Sequence, residues 1–193
     1  MTRTATIERK TQETSIKLSL NLDGEGVATV RTGLGFLDHM LTALAKHARF
    51  DLDLTCEGDL QVDDHHTAED CALALGQALD EALADRAGVR RFASAYAPLD
   101  ESLARVVVDL SGRPHADVDL RLIRPNIGDI ASENIDHIFR SFAMASKTTL
   151  HVDVLRGRND HHKAEAAFKA LALALRDAVR IDGTDIPSTK GVL

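Results

Sequence analysis

The chain has 193 residues, 44% hydrophobic and 27% charged, with a formal net charge of -7. That apolar content can bury a core in one domain or two small fused ones, while the acidic balance excludes the basic surface that a nucleic acid or an anionic membrane requires. No stretch stays apolar for membrane-spanning length, and MTRTATIERKTQET has no apolar leader, so a cytoplasmic protein is expected, with Cys56 and Cys71 as reduced, buried thiols.

In chain order, SIKLSLNLDG (15–24) alternates polar and apolar side chains and ends on a glycine turn, the pattern of a half-buried strand. FLDHMLTALAKHA (36–48) has apolar residues at helical spacing, and the strand-like RFDLDLTCEG leads from it to DDHHTAED (63–70) and a longer helix. The same order then returns. ARVVVDLSGRP (104–114) is a strand closed by Gly112-Arg113-Pro114, NIDHIFRSFAMAS (134–146) is a helix, and TTLHVDVLRG leads to DHHKAE (160–165) and a last long helix. Glu13-Thr14 is answered by Glu101-Ser102, Asp38-His39 by Asp136-His137, and Asp64-His65-His66 with Glu69 by Asp160-His161-His162 with Glu165. RLIRPNIGDI has no counterpart and reads as an added loop.

These correspondences predict an α+β duplication of two pseudo-twofold-related repeats, each a small sheet backed by two helices. The first spans residues 1 to about 92; the second runs from about 93 to 183 and carries the polar tail GTDIPSTKGVL to residue 193. Spacing leaves open whether the halves share one core.

On a helix, positions i and i+4 share a face, whereas i+1 points about 100° away. His65 with Glu69 can hold one ion and His161 with Glu165 another, while His66 and His162 look elsewhere. The simplest closure under pseudo-twofold symmetry is reciprocal. It groups His39, His65, Glu69 and His162 in one site, and His137, His161, Glu165 and His66 in the other. Three imidazoles and a carboxylate with open positions suit an octahedral divalent ion such as Mn, Fe or Co. Asp38, Asp64, Asp70, Asp136 and Asp160 are available to accept the remaining ring N–H groups. One HHxxE stretch alone reads as a surface feature; its recurrence with matching neighbours points to metal.

RKTQET, NLDGEG, GFLDHML, DDHHTAED, GVRRF, APLDE, DLSGRP, HHKAEAAFKALALAL and IPSTKGVL together resemble the imidazoleglycerol-phosphate dehydratase family, monofunctional type, over essentially the whole chain. The resemblance implies a four-stranded sheet with two helices in each half, two Mn2+ ions per active site, sites built between subunits, and trimers assembling into a 24-subunit homo-oligomer. It implies dehydration of D-erythro-imidazole-glycerol phosphate to imidazole-acetol phosphate in histidine biosynthesis. No carbonyl acidifies the proton to be lost, so the implied route has the metals stabilise an imidazolate that expels hydroxide through a diazafulvene-like intermediate. Glu13 matches the family's proposed catalytic carboxylate, and Asp100 is a second acid/base candidate. Arg91, Arg113, Lys169, Ser188 and Lys190 match its phosphate-binding residues; Arg90 is an extra arginine without an assigned role, and Asp160 stands where a smaller polar residue is common. Two other readings fit less of the chain. A dinuclear phosphoesterase would show Asp-His-His once, and a metal-stapled cage would leave Glu13, Arg91, Arg113 and Lys190 without work.

Overall fold

The computed structural model describes residues 3–191 and 193. Strands β1 (Thr4–Lys10) and β2 (Thr14–Asn21) form an antiparallel hairpin. The Thr11 hydroxyl accepts the backbone N–H groups of Glu13 (3.1 Å) and Thr14 (3.0 Å), which closes the turn and leaves Glu13 at its tip. Then β3 (Ala28–Arg31), α1 (Gly35–Ala48) and β4 (Asp51–Gly58) make a parallel crossover, followed by α2 (His65–Leu83). The second half repeats the plan with β5 (Phe92–Leu99), β6 (Ser102–Asp109), β7 (His115–Asp119), α3 (Ser132–Ala145), β10 (Thr149–Arg156) and α4 (Asp160–Ala178). Between β7 and α3, the stretch expected as an added loop folds a small hairpin of β8 (Asn126–Ile127) and β9 (Ile130–Ala131). The sheets have the orders β1-β2-β4-β3 and β5-β6-β10-β7, the same topology twice.

Each sheet buries one face because its strands alternate. Ile16, Leu18 and Leu20 of β2 and Leu52 and Leu54 of β4 point inward in the first sheet; Ala104, Val106 and Val108 of β6 and Leu150, Val152 and Val154 of β10 do so in the second. Helix α2 lies on β1 and β2, and α4 on β5 and β6. The helices also pack across the halves, α1 on α4 and α2 on α3, so four helices form a middle layer between two sheets. Buried residues from both halves make one continuous core, with the Phe139 and Phe168 rings 4.7 Å apart inside it. Cys56 and Cys71 are buried and unpaired within this core. Among the described residues, no helix is long and apolar enough to cross a membrane.

The approach of α2 to α3 depends on Gly76, where an added Cβ would lie 2.6 Å from the Phe142 carbonyl oxygen and 2.8 Å from Ala145 Cβ. Alanine would gain up to about 1 kcal/mol of helix propensity, but backbone cannot yield cheaply and overpacking costs about 1–3 kcal/mol. Gly76→Ala is therefore expected to lower the thermal midpoint; a raised midpoint would refute the tight-packing account.

The segment 121–131 meets the N-termini of all four helices. Asp129 accepts the backbone N–H groups of Gly35 (2.5 Å) and Phe36 (3.1 Å), capping α1, which has no side-chain cap of its own. Asp64, at the start of α2, accepts the Ala131 N–H at 2.7 Å. Asp160, at the start of α4, accepts those of Ile123 and Arg124, both at 2.7 Å. Helix α3 begins where the segment ends.

Candidate metal centres and anion cleft

The histidines and glutamates lie on these helices near their N-terminal ends. Donor atoms of His39, His161 and Glu165 lie within 4.8 Å of one another, as do those of His65, Glu69 and His137. In the first set the Glu165 carboxylate sits 3.2 Å from His39 Nε2 and 3.1 Å from His161 Nε2. In the second, Glu69 is 3.0 Å from His137 Nε2 and 3.8 Å from His65 Nε2, and the two imidazoles stack at 5.0 Å. The i, i+4 pairs thus meet as helix geometry predicts. The first-helix histidines are exchanged relative to the expected grouping: His39 joins His161 rather than His65, and His137 joins His65 rather than His161. The cause is tertiary, since α1 packs on α4 and α2 on α3.

His66 and His162 belong to neither triad. His66 Nδ1 is 3.0 Å from Asp59 Oδ2, and its Nε2 is 3.6 Å from Glu13. His162 Nδ1 is 2.8 Å from Glu101 Oε2, and its Nε2 is 4.0 Å from Asp100. His65 Nδ1 lies 2.8 Å from Asn134 Oδ1, whose amide nitrogen donates to Asp64 at 2.9 Å. Asp59, Glu101 and Asn134 therefore take the part expected of the five aspartates. Asp38 instead accepts from Thr32, Asp70 from Thr14 and Arg9, and Asp136 from Arg140. Asp160 is buried against Lys163 at 2.8 Å. No sequence signal marks Asp59 or Asn134; Glu101 was visible only as the repeat counterpart of Glu13.

Electrostatics follow from these contacts. Burial works to raise the Glu165 carboxyl, but hydrogen bonds from Lys169 and His39 outweigh it and hold the group at about 2. The Asp59 hydrogen bond pushes His66 up, and Glu101 does the same to His162. Glu101 itself is held well below the usual carboxylate range by His162 and by the backbone N–H groups of Asn159 and Arg158. One carboxylate beside two imidazoles, in each triad, makes a donor set that fits a divalent transition ion with coordination positions to spare.

A separate cleft of about 610 Å³ is lined by Arg91, Arg113, Ser188 and Lys190, with Phe92, Pro187 and Thr189 completing it. Arg91 is buried, forks onto Asp109 (2.7 and 3.2 Å) and donates to the Pro187 carbonyl at 2.6 Å, so it also pins the tail. The tail is held further by Gly88 N–H to the Asp185 carbonyl at 2.8 Å. Lys169 is elsewhere: its ammonium pairs with Glu165 at 2.6 Å, so within one chain it belongs to a triad and not to this cleft. Arg90, unassigned from sequence, pairs with Asp177 at 2.8 Å.

Fold and site together define a class: two fused α+β repeats that meet through their helices and present paired donor sets for divalent ions. A model of the family described as imidazoleglycerol-phosphate dehydratase matches residues 32–175. A protein of that name from Phytophthora nicotianae is 64% identical over 192 residues, 99% of this chain but 42% of that protein's length. One from Zymomonas mobilis is 55% identical, with both chains covered completely. The crystal structure of the Staphylococcus aureus dehydratase superposes with a TM-score of 0.84 at 35% identity, covering 92% of this chain and 99% of that one. The chain belongs to the imidazoleglycerol-phosphate dehydratase family, whose members are hydro-lyases.

Proposed function

We propose that this chain dehydrates D-erythro-imidazole-glycerol phosphate to imidazole-acetol phosphate in histidine biosynthesis, using two Mn2+ ions per active site. The observation that carries the reading is the presence of two His–His–Glu triads and a separate anion cleft whose residues match the substrate's two ends, an imidazole and a phosphate. His39, His161 and Glu165 would hold one ion, His65, Glu69 and His137 the other, with His66 and His162 supplied to triads of neighbouring copies. Bound there, the ions would supply the Lewis acidity that lets the substrate ring give up its N–H proton to solvent, and the electron pair left on the ring would expel hydroxide from the adjoining carbon. Glu13, at its hairpin tip, would move the proton on the adjoining carbon, with Asp100 at the equivalent hairpin as the second acid/base carboxylate.

The distance between the sites argues for shared active sites. Glu165 sits near the start of α4, whereas Arg91 N–H bonds the Ala178 carbonyl at its end, about 20 Å further along the helix axis. One imidazole, three carbons and a phosphate do not span that length, so ring and phosphate would be held by different copies of the chain. That is the reason a homo-oligomer, trimers assembling to 24 subunits, belongs to the proposal.

In the cleft, Arg113 is exposed, and among the described residues its guanidinium makes no hydrogen bond or ion pair. It is free to bind phosphate, unlike Arg91, which also holds Asp109 and the tail. Removing one hydrogen bond to a charged group costs about 1.5–3 kcal/mol, so Arg113→Ala is expected to raise KM about 10- to 100-fold while kcat changes little, as read by steady-state kinetics. The test of the whole reading is turnover of imidazole-glycerol phosphate by metal-stripped protein, with and without Mn2+, alongside particle size. Restored turnover with growth to a large particle supports it; growth without turnover leaves only a metal-stapled cage.

A further inference from the structure

In each repeat the second histidine of the His-His pair, His66 or His162, stays outside the triads, and in both a carboxylate grips that histidine by Nδ1. The carboxylates come from different places. In the second repeat it is Glu101, just before β6; the corresponding residue just before β2 in the first repeat is Glu13. In the first repeat the grip comes from Asp59, which follows Gly58 at the end of β4; Arg158, which follows Gly157 after β10, holds that place in the second. Glu101 is fully engaged: one oxygen takes His162 at 2.8 Å, and the other accepts the N–H groups of Arg158 (3.0 Å) and Asn159 (2.8 Å). Glu13 is the reverse, 52% exposed, with His66 Nε2 at 3.6 Å its one ion-pair partner among the described residues.

We infer that Asp59 and Glu101 are positioning residues, which fix His66 and His162 as Nδ1–H tautomers with Nε2 presented outward, and that the transfer of this task to Asp59 in the first repeat leaves Glu13 unengaged. A carboxylate only accepts, so the ring nitrogen facing it carries the proton and the other keeps its lone pair for an ion. Both histidines are thus oriented before any partner arrives. The two repeats are consequently unequal: the one offering His66 keeps Glu13 free at 3.6 Å from Nε2, whereas the one offering His162 has spent the equivalent Glu101 on Nδ1 and has Asp100, from the preceding position, near Nε2 at 4.0 Å. This inference rests on the proposed ligand role of the two histidines.

The test is titration of metal-stripped, full-length protein with Mn2+ alone, following free ion by electron paramagnetic resonance. Glu101→Ala and Asp59→Ala are each expected to weaken one class of site about 10- to 100-fold and spare the other. Glu101→Gln, whose carbonyl still accepts Nδ1–H, should retain most of the affinity. Adding Arg158→Asp to Glu101→Ala puts a carboxylate where the first repeat has one and should restore binding. Unchanged affinity in both alanine variants overturns the inference, as does equal weakening of both classes without rescue by either substitution, which would mark a merely structural role. Should the unaltered protein take up no Mn2+, the functional reading fails instead, and histidine 15N spectra decide the positioning: loss of the His162 Nδ1–H tautomer in Glu101→Ala upholds it, and an unchanged tautomer overturns it.

Discussion

Glu13→Gln is expected to lower kcat about 10²- to 10⁴-fold, the usual contribution of a positioned proton-transfer group, while Mn2+ uptake and thermal stability stay near those of the unaltered protein. The amide has the shape of the carboxylate but cannot take up a proton at neutral pH. Stability should hold because the Glu13 side chain is 52% exposed and makes no hydrogen bond among the described residues. What orders it is the backbone, through the Thr11 hydroxyl that closes the hairpin. Steady-state kinetics with metal analysis checks this directly. A variant turning over at the normal rate would move the proton-transfer role to another group, Asp100 at the β5–β6 hairpin being the next carboxylate.

Glu165→Gln should do more damage, and of a different kind. Its carboxylate joins His39, His161 and Lys169 at 3.2, 3.1 and 2.6 Å, so the exchange removes a charged donor and strands a lysine that is only 21% exposed. Metal per chain is expected to fall by one ion, turnover by at least about 10³-fold as several kcal/mol of charge stabilisation are lost, and folding stability by about 1–3 kcal/mol for the unpaired ammonium. Glu69→Gln serves as the comparison. Its triad has no lysine, because Leu73 stands in α2 where α4 has Lys169, so metal should be lost there with little change in stability. Equal destabilisation in the two variants would contradict the assigned role of Lys169.

Much of this was legible in the amino-acid order. Strand alternation and helical spacing give the element types, and the repeated Asp-His and His-His-x-x-Glu phrases disclose the duplication, because both depend on local geometry alone. The pairing of His39 with His161, and of His137 with His65, depends on which helices pack across the halves, and nothing within either helix encodes that choice. Asn134 and Glu101 escaped for the same reason, since each reaches its histidine from a segment distant in sequence; Asp59 lies close before His66, but in an irregular turn whose course no periodicity announces. The Asp-His aspartates were adjacent in sequence yet turned to loops and arginines. Arg91, Arg113, Ser188 and Lys190 were found by resemblance, and their convergence requires the tail to fold back along residues 88–91, which a short polar segment does not announce.

Each triad takes one histidine from one half and a His–Glu pair from the other, so the chain has the composition of an isologous dimer of repeats joined covalently. Two identical subunits related by a twofold axis must present two identical sites. Fusion removes that requirement. The segment 121–131 exists in one half only, yet caps or ties helices of both, and Lys169 stands beside one glutamate and not the other. Any residue in one half can therefore change without forcing its mate to change, and a centre that begins as two equal places can assign different duties to each.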